Sequence, residues 1–295
     1  MIKKLIILLI GIILGGYLQW SSPSLLIELK DDLKSLKNIF IKKNHGLESC
    51  TLEFINIKDL SKNDSIIIVI GHAYSLMNEE NIKKSIIFNF IEKNSLLIDE
   101  IVFTGDIFFN PSRKKWKDLL KILEERNISI EISPGNHDLG IGDNSKKDIF
   151  FDVFKKNYPI TKKLEKNNYS LFINSLESPG MINKEDFKSL TGKEVNKLFI
   201  YTHNIMRPYP SEISNSNEGL AQNFDPLFNY KIIKKKSKNI NEVIVFSGDT
   251  GAFKYLPRFE CLEKDNIKFI SSGVGNLEGD IFISIINGKI YGLNF

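Results

Sequence analysis

Residues 128–138 read ISIEISPGNHD: an apolar alternation that stops at proline and glycine and then delivers an asparagine, a histidine and an aspartate in succession. Apolar, β-branched residues at every second place over 128–133 have the period of a strand, and Pro134 with Gly135 ends it. Upstream, IVFTG runs into Asp106, and between the two runs the residues after Ser112, over 113–126, carry helical spacing. The pattern repeats outward: IIIVIG ends in His72, LFIYT in His203 and VIVFSG in Asp249. Runs at 52–57 and 169–174 add two more strands. Helical patterns fall at 79–94 with Asn78 as N-cap, 146–157 after Ser145 and 184–190 after Asn183. This alternation predicts an α/β fold of layered sheets covered by helices. The tail over 253–294 (FKYLPRF, IKFISS, DIFISII, KIYGL) is β-like without helices and reads as an antiparallel edge. Residues 51–295 show no repeat or linker that would divide them.

In layered α/β folds, ligands bind beyond the carboxyl ends of strands. Five such ends here carry an oxygen or nitrogen donor, and three of the chain's four histidines, His72, His137 and His203, stand at them. Aspartate, asparagine and histidine are metal-ligand chemistry, and the glycine before most of them lets the chain turn tightly toward a shared centre.

GDIFFN at 105–110, GNHD at 135–138 and the histidine of YTHN at 201–204 resemble, in kind and order, the motifs of the calcineurin-like metallophosphoesterase family. That family's pattern runs D-x-H, GD, GNH[DE], a single H and GHxH, each after a strand. The resemblance covers roughly residues 64–276. It implies a layered β-sandwich flanked by helices, divalent metal ions and hydrolysis of a phosphoester substrate. The two outer motifs depart from the pattern. His72 and Tyr74 stand where the family has aspartate and histidine, and Asp249 and Gly251 stand where it has two histidines. By resemblance, one metal takes Asp106, Asn136, His203 and Asp249. The other is left with His72 and Asp106, because Gly251 has no side chain and Tyr74 ligates only as a phenolate, with an ordinary pKa of ~10. One firm divalent site and one weak or absent site are therefore expected. The hard donor set favours manganese, iron or magnesium over zinc. His72 itself reads three ways: ligand, phosphate-contacting donor or satisfied core histidine. The resemblance makes His137 a general acid or electrostatic stabiliser, with Asp138 a candidate to orient its ring. Arg207, four residues after His203, and Asn110 in GDIFFN are candidates to reach phosphate oxygens. The alternative is a protein that keeps the fold without catalysis, as a binding or assembly module of the cell envelope.

The N-terminus has its own chemistry. Lys3 and Lys4 precede LIILLIGIILGGYLQW, uncharged from Leu5 to Trp20 and closed by aromatic residues of the kind that prefer a membrane interface. About sixteen residues at ~1.5 Å each span roughly 24 Å, slightly less than a ~30 Å hydrocarbon core. Residues 1–22 therefore read as an N-terminal transmembrane anchor, since the small-x-small cleavage pattern is missing; secretion after signal cleavage is the alternative. Positive residues before the span put the rest of the chain outside the cytoplasm. Residues 23–50 form a linker whose apolar Leu25, Leu29, Leu33, Leu36 and Phe40 recur at helical spacing.

Cys50 and Cys261, the only cysteines, are either separate buried residues or one disulfide of an exported domain. A net charge of +4 with scattered lysines gives no basic or aromatic stripe, so no nucleic acid is expected as a partner. Residues 205–235 read as a long polar loop, expected to border the metal and select the substrate.

Overall fold

The computed structural model describes residues 48–140, 144–176, 182–206, 226–250, 259–274 and 280–294. The expected anchor, most of the 23–50 linker, Arg207, Gly251 and the 207–225 part of the polar loop lie outside these residues. Among the described residues, no helix is long and apolar enough to cross a membrane.

The fold is mixed α/β, with two mixed sheets and flanking helices. One sheet holds β2 (Glu53–Ile55), β3 (Ile66–Ile70), β4 (Glu100–Phe103), β5 (Ser129–Ile132), β12 (Ile281–Ile286) and β13 (Lys289–Asn294), in the order β2-β13-β12-β3-β4-β5. The other holds β1 (Glu48–Ser49), β6 (Ile160–Lys163), β7 (Asn168–Phe172), β8 (Lys197–Thr202), β9 (Glu242–Ser247), β10 (Phe259–Lys264) and β11 (Ile267–Ser272), in the order β1-β10-β11-β9-β8-β7-β6.

The two-residue period of the strands sorts their side chains into two cores. Ile66, Ile68 and Ile70 of β3 and Ile101 and Phe103 of β4 pack with Phe88 and Ile91 of α1 (Ile86–Asn94) and with Trp116 and Leu119 of α2 (Arg113–Glu124). Val69 and Val102 point the other way. They join Phe172, Phe199, Tyr201, Ile244 and Phe246 of the second sheet in one cluster, so the sheets lie face to face. Phe172, Tyr201 and Phe246 stack in that layer, with centroids 4.7 and 5.1 Å apart. Burying each such side chain contributes roughly 1.5–3 kcal/mol.

Helix starts follow local hydrogen bonding. Ser112 caps α2 as its sequence predicts, accepting from the Lys115 N–H at 3.3 Å. The helix expected over 79–94 starts later, at Ile86. Asn78 instead accepts from the Glu80 and Asn81 N–H groups in a turn, and Ser85 accepts from Phe88 at 2.9 Å. The third helical segment is α3 (Asn136–Leu139), inside the GNHD motif, and the fourth is α4 (Asn144–Phe154).

Two sequence expectations need correction. The tail does form antiparallel hairpins, but β10–β11 joins one sheet and β12–β13 the other. β11 runs parallel to β9, and β12 sits inside its sheet beside β3. The expected 205–235 loop contains a helix, α5 (Pro226–Lys236), whose Tyr230 ring meets Phe269 of β11 at 6.2 Å. The apolar Tyr230 and Ile233 are buried, and that burial outweighs the polar local composition.

Candidate metal centre

β3, β4 and β5 are parallel neighbours in one sheet, and β8 and β9 are parallel neighbours in the other. Their carboxyl ends open on the same side of the sandwich. His72, Asp106, Asn136, His203 and Asp249 follow those ends, so each sheet contributes to one centre. The ends are bonded to each other across the sandwich. Ser133 Oγ donates to the Tyr201 carbonyl at 2.8 Å, and His203 Nδ1 lies 2.9 Å from the Thr104 carbonyl. Two motif glycines permit this closeness. Gly105 has φ +90°, and a β-carbon there would meet His203 Nδ1 at 2.4 Å; at Gly248 it would meet the Thr104 oxygen at 1.9 Å.

The Thr104 carbonyl can only accept, so His203 donates from Nδ1 and turns Nε2 inward. Nε2 then faces oxygens: Asn136 Oδ1 at 2.9 Å, Asp106 Oδ2 at 3.6 Å and Asp249 Oδ1 at 3.9 Å. His203 is wholly buried. Burial alone would lower its pKa, yet the Asp106 and Asp249 carboxylates and the Thr104 carbonyl outweigh burial and raise it. A nitrogen ringed by oxygens calls for a cation between them, either a proton or a metal ion.

His72, Asp106 and Asp249 are all buried, and each offers one ligand atom within 4.8 Å of the other two; this group could hold a metal ion. His72 Nε2 lies 3.9 Å from Asp106 Oδ2. An ion with bonds of ~2.1 Å in octahedral surroundings has ligand atoms ~3.0 Å apart along edges and ~4.2 Å across. The separations of 2.9–3.9 Å run from the edge value toward the one across, so the donors could hold a small divalent ion with modest side-chain movement. Asp106 is the hub of the centre. Asp249, expected only beside His203, is also grouped with His72, so the structure shows one continuous donor cluster.

The backbone is held in an uncommon conformation at this centre. His72 (φ 50°) and Asp106 (φ 57°) are both left-handed without being glycine, which costs about 1–2 kcal/mol each. His72 Nδ1 is buried without a hydrogen-bond partner, which argues against a satisfied core histidine. Burial lowers the His72 pKa despite Asp106 and Asp249, so its ring is held neutral, the form that ligates. Burial, reinforced by the same two carboxylates, raises the Tyr74 phenol. Tyr74 is a packing residue here, its ring 4.4 Å from that of His72.

His137 stands at the rim, half-buried, with its N–H on Asp106 Oδ1 at 2.9 Å and its Nδ1 3.1 Å from the Phe109 carbonyl. That carbonyl orients the ring. The role expected for Asp138 is therefore corrected. Its oxygens accept from the N–H groups of Asp106 (2.7 Å), Gly135 (2.9 Å) and Ile107 (3.1 Å), so it clamps the two motif loops together. Burial and the Asp106 charge push Asp138 up to about 7, against the pull of those N–H donors. Asn110 is exposed just beyond Phe109, and its backbone is tied to Glu79 and Lys115. Sequence reasoning missed Phe109 and the Thr104 carbonyl. The signal for Phe109 is the Phe-Phe pair after GD, of which Phe108 is buried against Trp116 and Phe109 is left outside.

Compared with models of known protein families, the sequence matches none, and no curated protein is similar enough to it to match.

Proposed function

We propose that this chain is a metal-dependent phosphoester hydrolase of the calcineurin-like kind with a modified metal centre. The observation that carries the reading is the convergence of five strand ends from two sheets on Asp106, with His203 Nε2 facing three oxygens. Asp106, Asn136, His203 and Asp249 would hold one divalent ion, with His72 beside them. Oxygen-rich donors favour manganese, iron or magnesium. Such an ion lowers the pKa of a water toward ~7 and polarises a phosphoryl oxygen.

The rest is done by the chain. The Thr104 carbonyl fixes the His203 tautomer. Asp138 holds the Asp106 and GNHD loops in register through three N–H groups. His137, fixed by the Phe109 carbonyl, stands at the rim as proton donor to the leaving oxygen, worth ~10²–10⁴-fold in such a role. Asn110 and Arg207 remain candidates for contacts with phosphate oxygens.

The test begins with the metal content of the purified full chain and of Asp249→Ala, after loosely bound ions are removed. About one equivalent of metal in the wild type and less in the variant is expected. Phosphomonoester and diester hydrolysis with that ion should then fall at least ~100-fold in His137→Ala, while its metal content stays. Metal-free protein under every loading condition would sink the reading. A second reading, a non-catalytic envelope module, is favoured by the raised Tyr74 phenol, which leaves a second ion only His72 and the Asp106 and Asp249 carboxylates that it would share with the first. Metal retention with no hydrolysis of any phosphoester would select it.

The location proposed is membrane-anchored, with residues 51–295 outside the cytoplasm. The uncharged span after Lys3 and Lys4 supports it, as does the disulfide between Cys50 and Cys261, a bond that persists in oxidising compartments.

A further inference from the structure

Phe109 is an exposed aromatic residue whose backbone is pinned. The residue is 51% exposed, whereas Ile107 and Phe108 beside it are fully buried. The ring lies 4.7 Å from the His137 imidazole and 5.5 Å, edge-on, from Tyr74, which is itself 5.1 Å from His137. The three rings neighbour one another, tilted by 34–61°, and form a faceted shelf at the rim of the donor cluster.

Four polar contacts fix the chain around Phe109. Glu79 Oε1 accepts from the Asn110 N–H at 3.0 Å; Lys115 Nζ donates to Glu79 Oε2 at 2.6 Å and to the Asn110 carbonyl. The Phe109 carbonyl meets His137 Nδ1. Burial alone would raise Glu79, but Lys115 and the Asn110 and Phe109 N–H groups hold its carboxyl below the usual range. The Glu79 carboxyl is therefore ionised at neutral pH, where it pairs with Lys115. A rigid, neutral, half-exposed ring beside a proton donor has the chemistry of a stacking platform.

Resting on the hydrolase reading above, we infer that the Tyr74–Phe109–His137 shelf is the leaving-group subsite and that the substrate's leaving group carries a planar ring. In the reaction the bond from phosphorus to the leaving oxygen breaks and one from phosphorus to the attacking water oxygen forms; the water sheds one proton to solvent, and His137 regains one from solvent afterwards. The His137 proton goes to the leaving oxygen, and a ring attached there stacks on Phe109. Such a ring belongs either to an aryl ester, directly on that oxygen, or to a nucleotide base one sugar away.

The experiment is calorimetric binding of phenylphosphonate, adenosine 5′-phosphorothioate and methylphosphonate to the full chain, loaded with the ion it retains. Wild type, Phe109→Ala and Phe109→Trp are compared, with a thermal melt to check folding. At least one ring-bearing ligand should bind roughly tenfold or more tighter than methylphosphonate. That preference should vanish in Phe109→Ala and persist in Phe109→Trp. Whichever ring-bearing ligand binds tighter identifies the source of the ring. Equal affinities in the wild type, absence of binding included, would overturn the subsite, as would a preference that survives in Phe109→Ala. Hydrolysis of phosphoesters without ring preference removes the subsite and leaves the hydrolase; ring preference without any hydrolysis overturns the leaving-group role together with the hydrolase and leaves Phe109 a ring-binding residue.

Discussion

At Gly248 a single methyl group would stand 1.9 Å from the Thr104 carbonyl oxygen and 2.5 Å from its hydroxyl, with backbone on one side that cannot rotate away. Gly248→Ala should therefore force β4 and β9 apart at their carboxyl ends. We expect a loss of more than ~2 kcal/mol in urea unfolding, together with reduced metal retention. Gly192 is the matching control: nothing lies within 4 Å of a β-carbon there, and only its φ of +76° resists substitution. Gly192→Ala should cost about 1–2 kcal/mol and leave metal binding alone. Equal effects of the two changes on metal would show that the crowding at Gly248 does not position the centre. The sequence shows a glycine before each of four donors, but not that Gly248 is needed for room and Gly105 for room and a positive φ.

At the scale of elements, α1 shows where local rules compete. Asn78 and Ser85 are both good cap residues by composition. Asn78 closes a solvent-exposed turn with two N–H groups, while Ser85, 1% exposed, caps the helix that carries Phe88 and Ile91 into the core. Ser85→Ala should lower stability by about 1–2 kcal/mol, and Asn78→Ala by less than half of that, as read from chemical denaturation. A larger loss for Asn78→Ala would mean that the turn over 78–85 contributes more than the helix it introduces. The strands were easier to read. Ile66–Ile70 and Glu100–Phe103 lie within a residue of their sequence-based bounds, because β-branched runs bounded by glycine leave little choice. Ile160–Lys163 was missed, since a strand of ITKK at a sheet edge has too little apolar content to announce itself.

Across the whole molecule, the Cys50–Cys261 disulfide joins residues 211 apart in sequence, next to the pairing of β1 with β10. Closing so long a loop restricts the unfolded chain, an effect of up to about 5 kcal/mol by chain-entropy reasoning and more commonly 2–5 on removal. Cys50→Ser with Cys261→Ser should lower the unfolding free energy by that amount in a matched urea titration. Metal content at 25 °C should hold, because neither cysteine touches the donor cluster. A stability unchanged by the double substitution would mean that the cysteines are not paired in the purified protein.

The sequence by itself determined the strand runs, the presence of helices between them and the donor at the end of each site-bearing strand, because side-chain periodicity and turn chemistry are local properties. The Asp106, Asn136, His203 and Asp249 set came from resemblance in motif order, not from local properties. Only the tertiary structure decided which sheet each tail hairpin joins, that 226–236 is helical and that the two cysteines pair. It also decided that His72 and Asp249 meet around Asp106, that Asp138 serves the backbone rather than His137, and that Phe109 faces outward. These depend on which surfaces are buried against each other across tens or hundreds of residues. Burial and hydrogen-bond satisfaction between distant segments, rather than local propensity, set their outcome.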